Sequence, residues 1–280
     1  SKKSWFGMFP QLGAPIGFLC STGIFLLITE TLTDAQFLSF GWRIPFLASA
    51  LLVLVGLYVR LRISETPAFK KAMENDERVR VPLLTVFSRH ALLLVFGTFG
   101  ALATFVLFYL MTVFALSWGI SSLGFTRQQF LPIQMVGVVF FGLTIPLSAW
   151  LADRFGRRNM LLWATALFQP LFGSGETVNV VTFMILGLAL MGLTYGPLGT
   201  ALSEPFPVGV RYTGVSLAFN LAGIFGASLA PYIATTLAKD YGIEAVGFYL
   251  AGAALITFLA LLGLGRLEAE SKRETLAAAA

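Results

Sequence analysis

Charge is what this sequence has least of. Asp, Glu, Lys and Arg together make up 12% of its 280 residues, against roughly 25% in a soluble domain. So few charges cannot wet a globular surface, which excludes an ordinary water-soluble domain and points to lipid as the solvent. Cysteine is almost missing. Cys20 stands alone in an apolar stretch, so no intrachain disulfide framework is possible, and it reads as a small buried residue. Histidine is as scarce. His90 sits beside Arg89 at the edge of an apolar run and reads as interfacial, because one His and one distant Cys make no metal site. No paired catalytic constellation is present, so the chain reads as a non-enzyme without cofactor or metal. No signal peptide is visible and the first residue is Ser, so the natural protein is expected to start further upstream.

What is present is apolar. Hydrophobic residues make up 57% of the chain and mean hydropathy is +0.82. Gly is frequent at 28 residues, as is common in membrane helices. A membrane helix needs about 20 mostly apolar residues. Candidate spans fall near 8–29, 44–60, 91–116, 128–151, 158–173, 178–203, 212–238 and 244–265. The expected class is an all-α integral membrane protein of about eight transmembrane helices. The fifth span is short: residues 158–173 make about 24 Å of helix at 1.5 Å per residue. It must thin the bilayer or borrow flanking residues, unless a deletion shortened it.

Lys and Arg give the orientation. With eight spans both termini share one side, and that side holds 16 of the 19 basic residues; only Arg43, Arg127 and Lys239 lie on the other. The expected topology places both ends in the cytoplasm. The net charge of +5 then needs no nucleic acid as partner, since anionic headgroups of the lipid bilayer answer it. One connection is long. Residues 61–90 carry ten charged side chains, from Arg62 to Arg89, and read as a cytoplasmic linker, partly helical around 66–77. It separates two spans in 1–60 from a six-helix block in 91–267, followed by a short cytoplasmic tail, 268–280. A polar linker before six spans is the layout of a transporter built of two six-helix halves.

Local patterns point to one superfamily. Leu151-Ala152-Asp153-Arg154-Phe155-Gly156-Arg157-Arg158 resembles the D-R-x-G-R-R loop of the major facilitator superfamily, in the copy between helices 8 and 9. Gly156 permits a tight turn, the arginines suit headgroups, and Asp153 suits a neighbouring helix N-terminus, where the dipole favours a carboxylate. Gly41-Trp42-Arg43-Ile44-Pro45-Phe46, Glu65-Thr66-Pro67-Ala68-Phe69, Phe9-Pro10-Gln11-Leu12-Gly13-Ala14-Pro15-Ile16-Gly17, Val210-Arg211-Tyr212-Thr213-Gly214 and the run from Gly226 to Ala234 are similar to the metabolite:proton symporter family. Its members carry citrate, 2-oxoglutarate, shikimate, proline or betaine. The resemblance covers about residues 1–265 and corresponds to family helices 5 to 12. Three departures stand out. Helices 1 to 4 have no counterpart, helix 9 is short, and Ser203-Glu204-Pro205-Phe206-Pro207 departs from the usual end of helix 10, which is expected to be distorted.

The resemblance implies proton-coupled symport of a small organic metabolite, an organic acid or zwitterion, by alternating access. The partners it implies are a small-molecule substrate and a proton, with a monomer as the functional unit. A facilitator or drug exporter on the same fold, or an inactive fragment needing the missing helices, are the alternatives. Polar groups at membrane depth cost free energy unless paired, so Tyr109, Thr112, Gln134, Tyr195 and Asn220 are candidates for the substrate cavity. Each could instead serve as an interhelical hydrogen bond. The gate loop is expected to comprise Asp153, Arg154, Gly156, Arg157 and Arg158, with Arg211 facing the equivalent loop of the other half. Gly192 and Gly196 form G-x-x-x-G, where a bend is expected, so Gly196→Leu should slow transport without abolishing insertion. No Asp, Glu, Lys or Arg lies mid-membrane in any span. The charges for coupling are expected upstream, and residues 1–280 alone are expected to show no proton-driven uptake.

Overall fold

The computed structural model describes residues 6–62, 82–155 and 176–279. Eight helices follow in order: α1 (Phe9–Thr31), α2 (Phe37–Arg62), α3 (Pro82–Arg89), α4 (Ala91–Ser121), α5 (Arg127–Phe155), α6 (Thr177–Ser203), α7 (Val208–Tyr241) and α8 (Glu244–Ala279). All but α3 are long and apolar enough to cross a membrane. The span expected at 158–173 lies outside the described residues, as does most of the linker.

Several helices outrun their expected limits. α2 begins at Phe37 because a π-turn over Phe37–Gly41 leads into the helix. There Arg43 donates to the Ser39 carbonyl and its guanidinium lies 4.5 Å from the centre of the Trp42 ring. α8 runs on to Ala279, because residues past Gly265 are good helix formers without Gly or Pro. Cys20 is exposed on the outside of α1, not buried as expected. Its small polarizable side chain costs nothing against lipid.

α3 is the part of the linker next to α4. Its Val86 is buried with Leu94, Phe206, Val210 and Ala218, while Leu83, Leu84 and Phe87 stay exposed. His90 separates α3 from α4: its N–H donates to the Val86 carbonyl at 3.0 Å and its own carbonyl accepts from Leu94 at 3.0 Å.

Small residues set how the long helices meet. Gly137 faces Met184 and Leu188, Gly192 faces Phe141 and Thr144, and Gly196 faces Ile145 and Ser148. The numbers rise together, so α5 and α6 run parallel, and Phe155 and Thr177 lie at opposite ends of the pair. Contact is close because there is no Cβ to hold the helices apart, and the Thr144 hydroxyl donates across it to the Ala189 carbonyl at 2.8 Å. α4 and α7 are also parallel, with Gly97 near Ala218 and Gly226 against Leu102 and Phe105. α8 runs antiparallel to α4, with Gly263 on Phe96 and Gly100 near Leu261. Thr257 of α8 inserts its hydroxyl between two turns of α4. It accepts from the Ala103 N–H at 2.9 Å and donates to the Phe99 carbonyl at 2.8 Å. α1 lies antiparallel on α5, Pro15 against Gly142 and Gly23 facing Met135. The main core is centred on α4, α5 and α6, where Met111, Phe114, Phe130, Phe141, Met184 and Leu188 are almost fully buried, and it continues into α7 and α8 through Ala230, Ala234, Val246 and Leu250.

Two interruptions bear on function. A π-turn at Leu110–Phe114 breaks the regular ladder of α4, and such turns are frequent at functional sites. α6 is interrupted at Gly196-Pro197, before a last stretch Leu198–Ser203. The turn that follows ends at Pro207, which caps α7, and Phe206 is buried beside Gly214.

Candidate functional site

A cavity of about 790 Å³ lies between α1, α4 and α5. Each helix lines it with one face. On α5 the lining residues are Arg127, Leu131 and Gln134, spaced i, i+4, i+7 along a single stripe. On α1 they step from Phe18 through Thr22 and Phe25 to Thr29, and on α4 from Tyr109 and Thr112 to Ser117 and Ser121. One end is deep and aromatic. The other carries the exposed Ser117, Ser121 and Arg127, which mark its mouth. At the opposite ends of these helices α1 closes onto α6, with Gly7 beside Thr200 and Gln11 beside Gly199.

Gln134 is fixed by the irregular backbone it faces. It is 1% exposed, and its Nε2 donates to the carbonyls of Met111 at 3.1 Å and Thr112 at 2.7 Å. Both carbonyls belong to the π-turn, where the i→i−4 pairing is disturbed and acceptors need partners from outside. The two amide hydrogens are thereby committed, and only the Oε1 acceptor remains for anything in the cavity. The Thr112 hydroxyl donates to the Phe108 carbonyl at 2.7 Å. Tyr109 is half-buried, edge-on to Phe108 at 5.5 Å between ring centres.

Of the five residues expected in a cavity, the structure brings together Tyr109, Thr112 and Gln134. Tyr195 does not line it. Its ring meets Phe141 at 5.7 Å, and Phe141 meets Phe108 at 6.2 Å, so an aromatic chain joins it to the cavity wall. Asn220 is exposed on α7, and its amide donates back to the Ser216 carbonyl at 2.8 Å. Of the gate loop, Asp153 and Arg154 stand in the last turn of α5, on the side where α1 begins; Gly156, Arg157 and Arg158 lie outside the described residues. Arg211 is half-buried in the first turn of α7, its Nε donating to the Phe206 carbonyl at 3.0 Å. Arg127 entered the sequence reading only as one of three basic residues on the sparsely charged side. Its spacing from Gln134, two turns along one helix face, is the signal that would have placed it with the cavity.

A second cavity of about 560 Å³ is bounded by Arg89, His90, Glu204, Pro205, Pro207 and Leu267. No cluster of metal-ligating side chains occurs among the described residues.

Residues 72–264 match the family model described as "Sugar (and other) transporter". The chain belongs to this family. It is a transporter family of the major facilitator superfamily and not a family of enzymes, as the motifs around Asp153 and Trp42 imply. The chain is 48% identical over 273 residues to the "Inner membrane metabolite transport protein YhjE" of Escherichia coli, covering 93% of this chain and 62% of that protein. It is 31% identical to the "Shikimate transporter" of Escherichia coli, with 94% and 63% covered, and 28% identical to that organism's "Proline/betaine transporter", with 85% and 51% covered. The chain thus spans under two-thirds of the length of these relatives. No solved structure gives a significant match.

Proposed function

We propose that the protein is a proton-coupled symporter of a small organic acid or zwitterion, working by alternating access in the inner membrane. The observation that carries this is the cavity between α1, α4 and α5. It joins the last helices before the linker to the first helices after it, so it lies where two halves of a transporter would meet. Its walls are apolar and aromatic with a few convergent polar groups, which is how sites for small metabolites are built. Three of its close relatives are named as transporters of metabolites, of shikimate and of proline or betaine.

On this reading both termini and the 61–90 linker are cytoplasmic, and the mouth at Arg127 faces outward. The closure of α1 on α6 at Gln11 and Gly199 is then the inner gate. Asp153, Arg154, Gly156, Arg157 and Arg158 reinforce it, and Arg211 meets the matching loop of the other half. Tyr109, Thr112 and Gln134 contact the solute. Tyr195 acts through its ring contact with Phe141, and Asn220 faces the other half. The proton is carried by a group outside the described spans, since none of these spans places an Asp, Glu, Lys, Arg or His at its middle.

Proteoliposomes made with the protein as its gene encodes it test this. Radiolabelled shikimate, proline and glycine betaine are offered with an inward proton gradient, with and without a protonophore. The expected result is accumulation of at least one solute that the protonophore abolishes. Accumulation indifferent to the protonophore would replace symport by another mode, and no uptake of any solute would remove the proposal.

A further inference from the structure

Arg127 is the one charged side chain among the described residues that line the cavity, and Tyr109 is the one other titratable group. No acid lines it. The Arg127 guanidinium has no ion pair or hydrogen bond among the described residues, and Glu30 at the end of α1 does not reach it. Helix α5 has no use for this cation. Its N-terminus is already capped reciprocally, Gln129 N–H on the Thr126 hydroxyl at 3.2 Å and Thr126 N–H on Gln129 Oε1 at 3.0 Å. A positive charge in the first turn opposes the helix dipole. Arg127 is exposed at the mouth of the cavity, so its guanidinium, with no partner among the described residues, is open to an anion that enters there.

The other end of the same stripe presents the opposite chemistry. Gln134 lies seven residues further along α5, about 10 Å down the helix axis, and offers only an acceptor. Phe18, Phe25, Phe37 and Leu131 are among the apolar residues that wall the cavity. Apolar walls lower the local dielectric and strengthen a charge interaction, and a guanidinium meets a carboxylate in a two-point fork.

We propose that Arg127 is a specificity-determining residue of this cavity: it binds the carboxylate of the solute at the mouth, while Gln134 Oε1 accepts a hydrogen bond from a hydroxyl or ammonium group on the solute's far end. This rests on the cavity being the solute site, as proposed above. The cavity therefore selects carboxylates that carry a donor, and it discriminates against amides of the same shape.

The test reads binding separately from transport. In a Cys20→Ala background, Ser117→Cys places a thiol on the cavity wall, and Ser121→Cys is a second reporter should the first misfold. The protein as encoded is treated with a negatively charged thiosulfonate reagent and with a positively charged one, alone and in the presence of proline, prolinamide, shikimate or shikimic acid amide. The expected result has three parts: the anionic reagent reacts faster than the cationic one, at least one acid slows modification, and its amide does not. Arg127→Gln should lower the anionic-to-cationic rate ratio at least fivefold and abolish protection, and Arg127→Lys should restore part of both. An unchanged ratio, or protection that survives Arg127→Gln, overturns the inference, as does equal protection by acid and amide or none by any acid. Protection without uptake in the proteoliposome assay would instead sink the symport reading and leave Arg127 as an anion site.

Discussion

Helices α2 and α4 are almost equally apolar, yet more than half of the apolar window of α4 is buried in the bundle and none of that of α2 is. The contrast separates two properties that hydropathy merges. Hydropathy says that a helix belongs in lipid. It does not say whether the helix faces lipid or other helices, because lipid tails are as apolar as leucine. α4 carries Gly97, Gly100 and Thr112: Gly97 meets Ala218, Gly100 meets Leu261, and the Thr112 carbonyl accepts from Gln134 of α5, while Thr98 and Thr104 are buried in the bundle. α2 is a run of Leu and Val; Gly56 has open space around it, and the Ser49 hydroxyl turns back to its own helix at Phe46. Small and polar residues at helical spacing mark the packed helix, and their absence marks the helix left to lipid.

The sharpest way to break this distinction is to fill a seam. Gly192→Leu puts a side chain where Phe141 and Thr144 of α5 already stand, and it disrupts the Thr144 bond to Ala189. Overpacking of this kind costs about 3 kcal/mol or more in a tight site. Unfolding in mixed micelles should show this loss, and an unchanged midpoint would mean that α5 and α6 do not meet there. The same contact revises the expectation for Gly196, which faces Ser148 and the Ile145 carbonyl. Gly196→Leu should therefore destabilise the bundle and not merely slow a hinge.

Next in size is Gln134→Leu, which leaves the Met111 and Thr112 carbonyls without their donor. Stranding buried acceptors costs about 1–3 kcal/mol. Hydrogen exchange of the backbone amides in the α4 π-turn should speed up, and a turn that exchanges as before would show that Gln134 does not hold it. Thr257→Val is smaller. It removes one hydroxyl that bridges the Phe99 carbonyl and the Ala103 N–H, and such interhelical bonds are worth about 0.6–2 kcal/mol. The loss should appear in unfolding, with Thr257→Ser restoring most of it.

The described spans were legible because lipid imposes length and apolarity on every crossing, so Phe9–Thr31 and Thr177–Ser203 fall where composition puts them. The pairing of α5 with α6 was half legible. Gly192 and Gly196 announced a close contact, but not that its partner would be the parallel Thr144 and Ser148 face. Tyr109, Thr112 and Gln134 could be found as polar groups at depth, since each must face something other than lipid. Tyr195 and Asn220 passed the same test but do not line the cavity: the Tyr195 ring packs on Phe141, and the Asn220 amide donates to its own helix. Arg127 was not singled out, because charge at a helix end is what topology alone demands of a membrane protein. The π-turns at Phe37–Gly41, Leu110–Phe114 and Gly223–Ser228 were not legible at all, because they arise from packing and have no composition of their own.

The smallest predicted effect probes α2 itself. Leu52 is 72% exposed, and Leu52→Ala removes only contacts that lipid makes equally well in the folded and the unfolded membrane-inserted states. Stability should change by no more than about 0.5 kcal/mol, as at other surface positions away from special contacts. The same substitution at Leu188 in the core is expected to cost about 2–5 kcal/mol, so the pair calibrates the comparison within one protein. A loss above about 1 kcal/mol at Leu52 would have a definite meaning. It would show that α2 is covered by helices outside the described residues, and that its bare face is an interior surface awaiting a neighbour instead of a surface suited to lipid.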